Sequence, residues 1–139
     1  MNKKIKKITI KTTSGYCCYD HAYEDKIVIT EHSLTYANKP MYPDSIYNPV
    51  KWSYKSNSKS FKDWFNELFE ICNSCLLNAP FDQVYNDCGD MIITFFYEDG
   101  GKDVNDFAFT DHFDNMLRHL LKMVPSAEDR PVCCEFLEE

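Results

Sequence analysis

Between Ile8 and Thr12 the chain reads ITIKT, with apolar and polar residues in alternation. That period of two is the mark of a half-buried strand. The same pattern returns in KIVIT (26–30) and SLTYA (33–37), separated by Glu31 and His32, and in VKWSYK (50–55), where Trp52 and Tyr54 share one face. A turn and loop opened by Gly15 (14–25) separates the first strand from the second. NKPMYPDSIYNP separates the third from the fourth, and its three prolines exclude a long hydrogen-bonded ladder.

The period changes at SKSFKDWFNELFEICNSCLLNAP. Phe61, Trp64, Phe65, Leu68, Phe69, Cys72, Cys75 and Leu76 recur at spacings of three and four, the single broad stripe of an amphipathic helix. Ser60 with Asp63 three residues later predicts its capping box, and Asn78 and Pro80 predict its end. DMIITFFYEDGGKDVNDFAFT then predicts a hairpin turning at EDGG, where Gly100 and Gly101 permit positive φ. Its first arm is apolar at nearly every position, as a central strand requires. TDHFDNMLRHLLKMVP predicts a second helix, capped by Thr110 or Asp111, with Phe113, Met116, Leu117, Leu120, Leu121 and Val124 as its stripe.

The order is therefore β-β-β-β-α-β-β-α. Runs of strands with few helices predict an α+β fold: a largely antiparallel sheet of about six strands with both helices on one face. With 139 residues and no linker or repeat, the chain forms one domain over 1–125. An acidic tail follows over 126–139, which Val132 and Phe136 would dock onto the body.

Composition narrows the function. Net charge is −7, with Lys3, Lys4, Lys6, Lys7 and Lys11 preceding the first acid, Asp20. An acidic chain without a basic and aromatic groove disfavours nucleic-acid binding. No apolar run approaches the roughly 20 residues of a membrane helix, and the start lacks the apolar core of a signal peptide. The expected address is cytoplasmic, without membrane association. There the seven cysteines stay reduced, an odd count that also argues against a disulfide framework.

Cys72 and Cys75 have the spacing of zinc ligands and of dithiol redox centres. They lie on the apolar stripe near the C-terminal end of their helix, where the dipole disfavours a thiolate. No second C-x-x-C completes a structural zinc site. Core packing is the favoured reading, and a redox or zinc site using Cys72 and Cys75, with a third group such as Cys88, is the alternative. Phosphate-binding loops, nucleophile elbows and H-E-x-x-H helices are absent, so no nucleophile or base is named, and no cofactor is implied. In NDCGD, Asp87 and Asp90 flank Cys88 and disfavour its thiolate. The histidines are read as structural or surface residues.

Tyrosine is distributed unevenly. Seven of the nine precede residue 55, several in loops. Loop tyrosines offer contact area at low entropic cost, and nearby prolines stiffen the segment that presents them. Tyr16, Tyr19, Tyr42 and Tyr47 are the candidate residues for binding another protein. Rings that merely fold back over a small sheet are the alternative. The oligomeric state is not legible.

KITIKTTSGY, YEDKIVITEHSLTY, NPVKWSYKSNS and, near the end, LLKMVP resemble a family of short bacterial proteins of unknown activity. That resemblance implies a bacterial, cytoplasmic setting. The order helix, hairpin, helix, with an acidic start to the last helix, is also similar in architecture to proteinaceous metalloprotease inhibitors of the emfourin type. No residue roles follow from that likeness.

Overall fold

The structure, a computed structural model, describes residues 4–14, 22–43, 46, 49–77, 89–108, 111–134 and 137. Six strands, β1 (Ile5–Thr13), β2 (Tyr23–Thr30), β3 (Ser33–Pro40), β4 (Val50–Lys55), β5 (Asp90–Tyr97) and β6 (Lys102–Ala108), form one sheet in the order β4-β3-β2-β1-β5-β6. Every neighbouring pair is antiparallel. Two helices, α1 (Lys59–Leu77) and α2 (Asp114–Met123), complete the expected α+β fold.

Alternation sorts the sheet into two faces. Ile8 and Ile10 of β1, Ile27 and Ile29 of β2, Leu34 and Tyr36 of β3, and Met91, Ile93 and Phe95 of β5 point inward and are almost wholly buried. Both helices cover that face. The apolar stripe of α1 buries Phe61, Phe65, Leu68 and Cys72, and α2 buries Met116, Leu117, Leu120 and Met123 in the same core. Phe69 meets Phe95 edge-to-face, with centroids 5.0 Å apart. The opposite face carries threonine, serine, valine and lysine; most of its lysines are exposed, its middle is half-buried, and Thr9 at the centre is buried.

Several boundaries differ from the sequence expectation for identifiable reasons. The strands are longer: β2 starts at Tyr23 and β3 runs to Pro40, because Asp25 and Asn38 continue the inward alternation as buried polar residues. The α1 cap is Ser58, not Ser60. Its Oγ accepts the Phe61 N–H at 3.2 Å, so Phe61 stands where a capping box would place an acid. α2 begins only at Asp114, with Phe113 at its N-cap position. A 3₁₀ turn over Asp111–Phe113 leads into it, and Phe113 at the boundary contributes no side-chain hydrogen bond. Asn78, Pro80 and Thr110 lie outside the described residues.

The hairpin closes through a three-residue loop, Glu98-Asp99-Gly100. Gly100 N–H donates to Tyr97 O at 3.1 Å, and Gly100 takes φ of 90°, a type I turn followed by a left-handed residue. Gly89, just before β5, is required by proximity: a Cβ there would lie 1.6 Å from the Thr13 carbonyl oxygen.

Candidate functional site

The most elaborated polar arrangement lies beneath residues 129–134. Asp25, wholly buried on β2, stands opposite Asn38 of β3 and Thr12 of β1. Its Oδ1 accepts from Tyr36 Oη at 2.6 Å and from Asn38 Nδ2 at 2.7 Å, and its Oδ2 accepts the Cys133 N–H at 2.7 Å. Tyr36 Oη in turn accepts the Val132 N–H at 3.1 Å, and Trp52 Nε1 donates to Asp129 O at 3.0 Å. Three successive strands thus each hold the C-terminal segment by one polar side chain. Val132, Cys133 and Cys134 form a buried 3₁₀ turn there, and both cysteines join the main core. Among the described residues, Thr12 Oγ1 and Asn38 Oδ1 are buried without a hydrogen-bond partner.

Sequence reasoning missed this network. The available signal was parity: in YEDKIVIT, Asp25 occupies the same face as Ile27 and Ile29, where a carboxyl group must find donors. As chemistry the arrangement is a clasp. Both Asp25 oxygens and the Tyr36 hydroxyl oxygen are taken by protein donors, and burial followed by the nearby Asp25 charge and hydrogen bond pushes the Tyr36 phenol far above its ordinary value.

Three thiols are held in their protonated form. Cys72 is wholly buried in the α1 stripe, and burial, then Cys75, push its thiol well above the ordinary 9.0. Burial also raises Cys75. Cys133 is pushed well above 9.0 by its hydrogen bond to Cys134, then by burial and by the charges of Cys134 and Asp25. All four described cysteines are free, and the described residues contain no group of three or more His, Cys, Asp or Glu able to hold a metal ion. Cys17, Cys18 and Cys88 lie outside the described residues.

These raised values have a signed consequence. A thiol or phenol that holds its proton more tightly when folded adds stability that is complete below its unfolded pKa. That stability is lost as pH climbs past the unfolded value toward the folded one. Urea midpoints measured between about pH 7 and 10 should therefore be unaffected by these groups up to about pH 8.5 and fall above it, less steeply in Cys133→Ala. An alkaline limb identical in the variant would show that Cys133 does not contribute.

His112, in the 3₁₀ turn, and His119, on α2, tie this end of the chain to α1. His112 Nε2 lies 2.8 Å from Cys75 O, and His119 Nε2 lies 2.8 Å from Trp64 O. A carbonyl oxygen only accepts, so each Nε2 carries a proton and donates. His112 thereby satisfies one of the last carbonyls of α1, which have no partner within the helix.

Of the binding residues proposed from sequence, Tyr42 is described and is 43% exposed, while Tyr16, Tyr19 and Tyr47 lie outside the described residues. Tyr42 has exposed neighbours: Met41 is 45% and Ile46 is 56% exposed, in the loop that follows β3. Tyr23 and Tyr36, by contrast, are core residues. Among the described residues, no helix is long and apolar enough to cross a membrane. No protein-family model, curated protein or solved structure matches the chain, so the reading of its function rests on this geometry.

Proposed function

We propose that the protein is a non-enzymatic interaction module of a bacterial cytoplasm that engages another protein through its aromatic loops. One observation carries this reading. Of the six large apolar side chains exposed among the described residues, Met41, Tyr42 and Ile46 fall within six consecutive positions. Pro40 and Pro43 stiffen that segment, which lowers the entropy lost when a partner orders it. Tyrosine and methionine are enriched at the centres of protein interfaces, where an anchor residue is worth about 2 kcal/mol or more. The alternative, a thiol redox or zinc protein using Cys72 and Cys75, is opposed by the burial of Cys72 and the raised thiol values of both.

The test is retention of a stoichiometric protein partner from host lysate by the tagged chain, compared with Tyr42→Ala. The variant should keep its melting temperature and bind the purified partner at least about tenfold more weakly. Equal affinity for wild type and variant would remove the loop from the interface.

A further inference from the structure

The face of the sheet turned away from the helices is ordered in rows. One row crosses all six strands as Lys51, Ala37, Lys26, Lys11, Ile92 and Asp106. The next, two residues along each strand, reads Ser53, Thr35, Val28, Thr9, Thr94 and Val104. Beyond it lie Lys55 on β4 and the pair Lys7 and Lys102, which flank Phe96. A neutral lane of small side chains is thus bordered by lysines on both sides. With Lys39, seven of the chain's thirteen lysines share this face, against Glu24, Asp90 and Asp106. The chain as a whole carries −7, so its charge is strongly segregated.

Two details separate this face from an ordinary solvated surface. Among the described residues, none of the seven lysines is in an ion pair. Lys11 and Lys26 stand directly opposite each other, an arrangement that destabilises a sheet. A local rule broken without compensation inside the fold is expected where the compensation comes from a partner.

We infer that this face docks an acidic segment of another protein, its carboxylates over the two lysine borders and its small side chains over the Thr9–Val28 lane. Nucleic acid fits less well. Among the described residues the face has no arginine and one aromatic ring, Phe96, which is covered by the Lys7 ammonium 4.3 Å from the ring centroid, and this removes the stacking platform single strands use. A net charge of −7 also repels a long polyanion at distances where a short acidic segment feels only the near face. The inference extends the interaction-module reading to a second surface, distinct from the loop that carries Tyr42.

The experiment is a titration of the ¹⁵N-labelled protein with a poly-glutamate peptide of about twenty residues, and separately with duplex DNA of similar charge, at about 25 mM salt. The peptide should shift amide signals on β1, β2 and β4, and its affinity should fall steeply with added salt. Lys11→Gln/Lys26→Gln/Lys51→Gln should bind it at least about tenfold more weakly, and Tyr42→Ala should bind it as wild type does. Lys26→Glu should also bind more weakly than wild type, yet melt roughly 1–4 °C higher, because it converts a like-charge pair into an opposite one. Opposite signs for binding and stability distinguish a docking role from a structural one. Absence of shifts on this face, unchanged affinity in the triple variant, or tighter binding of the duplex than of the peptide would each overturn the inference.

Discussion

Replacing Asp25 with alanine is expected to lower the free energy of unfolding by about 3–5 kcal/mol, because three buried donors lose their acceptor together. Tyr36 Oη, Asn38 Nδ2 and the Cys133 N–H all point at the one carboxyl group, and none is near solvent. The loss should be directional. The residues held by that carboxyl group through Cys133 should loosen first, so the Cys133 amide should lose hydrogen-exchange protection while the amides of β1 and β5 retain theirs. Asp25→Asn keeps one carbonyl oxygen and turns an NH₂ toward a donor, so its cost should be intermediate. Urea unfolding with exchange measured by NMR checks both points. A cost below about 1 kcal/mol in Asp25→Ala, with the Cys133 amide still protected, would mean that the segment is held by its apolar contacts alone.

Phe65→Ala should be comparably damaging, at about 3–5 kcal/mol, for a different reason. Phe65 is 1% exposed at the middle of the α1 stripe, and it faces a sheet whose inward side chains are themselves wholly buried. A twisted sheet paired on both sides moves little, so the space left by the ring persists as a cavity. The informative comparison is Cys72→Ala on the same stripe, which removes one small group and should cost only about 1 kcal/mol. That ranking follows if Cys72 is packing. A Cys72→Ala cost equal to that of Phe65→Ala would require a role for the thiol beyond the volume it fills. The two unfolding curves, measured side by side, decide the matter.

The periodic elements are legible in the sequence because burial selects side chains one face at a time. Phe61, Phe65, Leu68 and Cys72 declare α1 by spacing, and Ile8 with Ile10 declares β1 by alternation. The clasp is harder to see because Asp25 and Asn38, read singly, have the composition of strand ends. They belong inside only because Tyr36 and the Cys133 N–H arrive from residues 11 and 108 positions away. The 3₁₀ entry to α2 and the Ser58 cap were obscured by nearby residues with equal or better capping chemistry, Asp111 and Ser60. The lysine face is a matter of register. Each lysine is visible as a polar position in its own strand, but that Lys11 meets Lys26, and Lys26 lies in line with Lys51, follows only from the strand pairing. Tyr42 is legible from its place in a proline-bearing loop, whereas its neighbours Met41 and Ile46 need exposure, which sequence does not supply.

The strand order has one further consequence, for how the chain reaches this structure. Four of the five pairings join strands adjacent in sequence, so each forms by local closure. The pairing of β1 with β5 alone spans the length of the intervening chain, aligning Ile8 with Phe95 and Ile10 with Ile93. Loop-closure entropy rises with separation, so this central seam is the costliest contact to make and is favoured only after the local hairpins exist. The expected route is therefore two antiparallel ribbons that meet along β1 and β5, with the middle of the finished sheet the last part of it to be zipped.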